Sequence, residues 1–64
     1  MNTPLEVAVT ISRLVMEARE RRVKLDIGSA VDELSTRYPH SGYSTLQIAE
    51  TLTEEASAAG VAMH

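Results

Sequence analysis

Between residues 38 and 47 the chain reads YPHSGYSTLQ, a stretch through which no continuous helix can pass. Pro39 lacks a backbone N–H and pushes the residue before it out of helical conformation, so a helix arriving at Tyr38 must stop there. Ser44, followed three residues later by Gln47, forms a capping box: each side chain satisfies a backbone N–H at the start of a new helix. A stop and a start this close leave only the loop PHSGY between the two helices.

The same signals recur along the rest of the chain. Thr3-Pro4-Leu5-Glu6 reads as a second capping box, with Thr3 as N-cap, Pro4 at the first helical position and Glu6 reaching back. A first helix is expected over about 4–22, ending in Arg19, Arg21 and Arg22, whose charge suits the negative end of the helix dipole. Glu17–Arg21 and Glu20–Lys24 have the favourable order for pairs four residues apart. VKLD is a short connector, and a second helix runs over about 27–38 with Asp26 or Ser29 as its cap. The third covers about 45–59, with Gly60 as its left-handed terminator and Val61 folding back on Ala56. The expected fold is all-α: a compact three-helix domain formed by residues 1–64.

Composition limits what can hold such a domain together. Sixty-four residues bury only about 60% of the surface that the unfolded chain exposes, and a core of that size supplies roughly 3–5 kcal/mol. There is no cysteine, and Tyr38 and Tyr43 are the only aromatic residues. Disulfides and thiolate metal sites are excluded, and the core must be aliphatic. A second subunit is then the expected source of extra stability, and the chain is expected to be a homodimer. No apolar run approaches the roughly eighteen residues of a membrane span, so no membrane partner is expected. The N-terminus shows no basic run ahead of an apolar one, and the expected location is cytoplasmic.

Helical periodicity gives the candidate surfaces. Helix 2 has one narrow apolar face, from Ile27, Ala30, Val31, Leu34 and Tyr38. Helix 3 has a modest one, from Leu46, Ile48, Ala49, Leu52, Ala56 and Ala59. Helix 1 differs: Ala8, Ile11, Val15 and Ala18, flanked by Val7 and Leu14, form one stripe, and Leu5, Val9 and Met16 form another beyond Ser12 and Arg19. Together the two span roughly 220°, about twice what one buried face requires. Either helix 1 lies between helices 2 and 3 and shows a stripe to each, or Leu5, Val9 and Met16 stay exposed and pack against another protein or a second copy.

Charge is divided along the chain. Residues 1–25 carry a net +2 and residues 26–64 a net −5, for −3 in all. Such an asymmetry can steer a partner or pair two copies head to tail. It also bears on nucleic acid. Ile48-Ala49-Glu50 resembles a triplet common in helix-turn-helix DNA readers, although three residues specify no family. The helix carrying it continues to Ala59, with too few residues after Gly60 for a recognition helix. If helix 3 were itself the reader, Glu50, Glu54 and Glu55 would face the phosphates with the wrong sign. Nucleic acid is therefore a disfavoured partner, the alternative being a nucleic-acid-associated regulator that uses Arg19–Lys24. For RNA the basic cluster lacks interleaved aromatic residues.

Catalysis and metal binding find little support. His40 and Ser41 are loop neighbours with no third group near in sequence to orient the imidazole. His40 and His64 lack a ligand spacing, and no phosphate-binding glycine loop is present. No catalytic residue, cofactor or metal is expected. Tyr43, just ahead of the Ser44 cap, is read either as a hydrophobic staple or as an exposed anchor for a partner. The expected function is a non-enzymatic protein-interaction module, such as an adaptor, inhibitor or regulator, binding through Leu5, Val9, Met16, Arg19, Arg22 and Tyr43.

Overall fold

A computed structural model describes residues 4–64. Three helices are present among them: α1 (Pro4–Arg21), α2 (Ile27–Arg37) and α3 (Thr45–Ala59). The all-α, three-helix expectation is thus met. The Thr3 cap lies outside the described residues.

The helix ends follow the local chemistry. Asp26 caps α2, its Oδ1 accepting the Ser29 amide at 3.0 Å. Ser44 and Gln47 form both halves of the capping box of α3: the Gln47 amide donates to Ser44 Oγ at 3.1 Å, and the Ser44 amide to Gln47 Oε1 at 2.9 Å. At the far end Gly60 is left-handed (φ 73°), and the Val61 amide donates to the Ala56 carbonyl at 2.8 Å. This is the expected Schellman closure, and it buries Val61 in the core.

α1 closes in the same way, but on an arginine. Arg22 sits at φ 56°, the Val23 amide donates to the Ala18 carbonyl at 3.1 Å, and the Arg22 amide to the Arg19 carbonyl at 3.2 Å. The helix therefore ends at Arg21, one residue before the expected boundary, and Arg22 occupies a conformation that usually falls to glycine.

α3 is the central element: α1 and α2 each pack against it and touch one another only marginally. This corrects the alternative in which helix 1 lies between the other two. Val7, Ile11, Val15 and Ala18 from α1 and Ala30 and Leu34 from α2 close on Ile48, Leu52 and Ala56 of α3. The buried line of α3 ends in the small Ala56, which lets neighbouring backbones come close. Leu34 and Leu52 are fully buried. Truncating either to Ala would cost about 2–5 kcal/mol, comparable to the whole stability expected of so small a core.

The VKLD connector is more than a linker. The Leu25 amide donates to the Ala62 carbonyl at 2.8 Å, and the His64 amide to the Leu25 carbonyl at 2.9 Å, a parallel bridge between Leu25 and Met63. Leu25 is buried, and Met63 packs against the core. The segment after α3 thus clasps the α1–α2 connector and covers one end of the bundle.

Candidate functional site

The residues expected at a partner surface fall into three places. Leu5, Val9 and Met16 share the face of α1 that points away from the bundle. They are 73%, 51% and 46% exposed, whereas Val7, Ile11 and Val15 on the opposite face are buried. The reason is geometric. α1 packs against α3 and touches α2 only marginally, so a stripe on its far side meets neither. Ser12 is also exposed and falls among the three, three residues after Val9 and four before Met16. It belongs to their face and does not bound it. Leu5 and Val9 edge a shallow depression that Tyr38 and Arg13 help to line.

Arg19 and Arg22 lie elsewhere, in an open basin of about 420 Å³ at the end of the bundle, with Lys24 beside them and Gly60, Val61 and Ala62 across from them. Here the C-terminal ends of α1 and α3 come together. α3 has no basic residue in its own last turn, and the cations at the end of α1 supply positive charge where both helix dipoles end negative. That is their electrostatic role within the fold, and it accounts for the cluster without a ligand. Lys24 belongs to the basic cluster expected only under the nucleic-acid alternative, and the fold places it beside Arg19 and Arg22.

Tyr43 occupies the third place. It is 39% exposed and half covers a crevice between α1 and α3, lined also by Val7, Ala8, Ile11, Ile48 and Thr51. The crevice, of about 20 Å³, holds no more than a single water. The ring therefore acts as a lid on the α1–α3 seam while keeping one edge in solvent.

Loop 38–44 is organised by its own hydrogen bonds. Ser41 is buried, its amide donates to the Tyr38 carbonyl at 3.3 Å, and its Oγ accepts the Tyr43 amide at 3.2 Å. A hydroxyl held in this way shapes the turn between α2 and α3, while His40 beside it is exposed. Tyr38 packs on the core, and its hydroxyl lies 2.8 Å from Thr10 Oγ1. Leu46, counted above with the apolar face of helix 3, is instead 67% exposed. In the first turn of α3 its side chain points away from both neighbouring helices.

The Asp26 carboxyl is held below the ordinary aspartate range, chiefly by the Ser29 amide it accepts, against some desolvation, and further by the Ser29 hydroxyl and the nearby His64 side chain. Among the described residues no group of three or more His, Cys, Asp or Glu side chains could hold a metal ion. No helix there is long and apolar enough to cross a membrane.

Comparison with known protein families, with curated proteins and with solved structures finds no match for this chain.

Proposed function

We propose that this chain is a non-enzymatic protein-interaction module, a small adaptor, inhibitor or regulator that acts by binding another protein. One observation carries the reading: Leu5, Val9 and Met16 stand exposed on a single face of α1, opposite the face that builds the core. Three large apolar side chains aligned on a helix back are costly to hydrate, and such a face is the usual donor in helix-in-groove recognition. In this reading the module works in the cytoplasm, in keeping with a chain that carries no cysteine. Tyr43 on the α1–α3 seam and the Arg19–Arg22 basin at the end of the bundle lie apart from this face, and the contact rests on Leu5, Val9 and Met16.

The test is capture from lysate with the wild-type chain and with the double variant Leu5→Glu, Met16→Glu, each with and without nuclease. A protein retained by the wild type after nuclease and lost by the helical, folded variant supports the reading. Material lost on nuclease treatment from both proteins alike would replace it with a nucleic-acid-associated regulator using Arg19, Arg22 and Lys24, whose binding would fall steeply with salt.

A further inference from the structure

We infer that the outer face of α1 pairs with the same face of a second copy, the two helices running antiparallel about a two-fold axis. The inference rests on the reading above that this face is a docking surface, and it names the occupant. Leu5, Val9, Ser12 and Met16 are spaced by four, three and four residues. That is the repeat of a two-helix seam, and all four are exposed. They lie within the 18 residues of uninterrupted helix in α1, and from Leu5 to Met16 span about 17 Å of it.

Charge selects the orientation. Arg19, Arg21, Arg22 and Lys24 gather at the C-terminal end of α1. Parallel pairing would bring two such clusters together along with two like helix-dipole ends, whereas antiparallel pairing puts them at opposite ends. Register follows from the seam. With Leu5 of one copy opposite Met16 of the other, Val9 faces Ser12, and the two-fold axis repeats both layers. All four seam positions are then used, which no shift along the helix improves. Flanking the seam on one side is Arg13, whose charge stays at the exposed edge of the contact. Ala8, on the other flank, is small and exposed, so the backbones can approach closely there. The weak layer is Val9 against Ser12, where a hydroxyl takes the place of an apolar side chain.

That weakness makes the proposal testable by gain as well as loss. Sedimentation equilibrium from ~10 μM to ~1 mM should show the wild-type mass rising from one chain towards two. Val9→Glu should hold the chain monomeric with unchanged helicity by circular dichroism. Ser12→Leu, which fills the weak layer twice over, should tighten the dimer by at least ~30-fold. Because the chain has no native cysteine, orientation can be trapped. A mixture of Leu5→Cys and Met16→Cys chains should give the crossed disulfide, while each variant alone should give little.

A Ser12→Leu chain that stays monomeric throughout overturns the pairing, and so does a dimer that survives Val9→Glu. Self-disulfides of Leu5→Cys alone would overturn the antiparallel orientation. Should Val9→Glu fail to fold, Ser12→Leu still decides. A monomer that nonetheless loses its captured protein on Leu5→Glu, Met16→Glu rejects self-pairing and keeps the interaction-module reading. A dimer on this face that captures nothing keeps the pairing and removes the foreign partner.

Discussion

The Tyr38 hydroxyl lies 2.8 Å from Thr10 Oγ1, and that same Thr10 oxygen lies 2.9 Å from the Glu6 carbonyl. Thr10 has one proton to give. With it directed to the carbonyl, the tyrosine donates to the threonine, and a short chain of hydrogen bonds ties the C-cap of α2 to the backbone of α1. α1 and α2 otherwise touch only marginally, so this link does much to set their spacing. Tyr38→Phe should lower stability by about 1 kcal/mol, or roughly 4–8 °C in Tm for a domain of this size. A double-mutant cycle with Thr10→Val should show strong coupling, the second substitution adding little once the first is made. Additive losses would show that the two groups do not act together.

The two Schellman ends make opposite predictions. Arg22 holds φ 56° with a side chain that disfavours it, while Gly60 holds φ 73° without penalty. In salt that screens the lost dipole contact, Arg22→Gly should therefore raise stability by about 1 kcal/mol, and Gly60→Ala should lower it by about 1–2 kcal/mol. Nothing lies within 4 Å of where the new Cβ at Gly60 would sit, so the loss would be conformational and not steric. Chemical denaturation of both variants reads the difference directly.

Acid should weaken the start of α2 in a defined direction. Asp26 is ionised more readily in the fold than in the unfolded chain. Its contribution is complete above the ordinary aspartate pKa, near 4, and fades as pH falls through the lower folded value, where the unfolded chain already holds the proton. Asp26→Asn keeps a capping oxygen but removes the titration. Comparing the two proteins from neutral pH down to about 2 should show a stability gap that closes in acid. A gap that stays constant would mean the carboxylate charge contributes nothing.

Ser35 makes the simplest prediction. Its hydroxyl is buried on α2 without a hydrogen-bond partner, and serine is also a poorer helix former than alanine. Ser35→Ala should stabilise the protein by about 1 kcal/mol, seen as a higher denaturation midpoint with an unchanged slope. A destabilised variant would point to a bound water that the hydroxyl holds.

Much of this protein is decided residue by residue. Pro39 ends α2, the Ser44–Gln47 pair starts α3, Asp26 caps α2 and Gly60 closes α3 through contacts spanning only a few residues. Such signals act on the backbone directly, so they can be read wherever those residues occur. The amphipathic spacing on α1 likewise declares two apolar stripes, and the absence of Trp and Phe requires an aliphatic core. What the spacing leaves open is which stripe is inside, because periodicity describes one helix alone and burial depends on its neighbours. Only tertiary structure makes α3 the central helix, and that choice puts Leu5, Val9 and Met16 in solvent and Val7, Ile11 and Val15 in the core. It also brings Arg19, Arg22 and Lys24 to the end of α3, sets Tyr38 against Thr10 across 28 residues of chain, and joins Leu25 to Met63. Each of these is a contact between segments distant in sequence, selected by how three helices fill one small volume, and no local pattern encodes it.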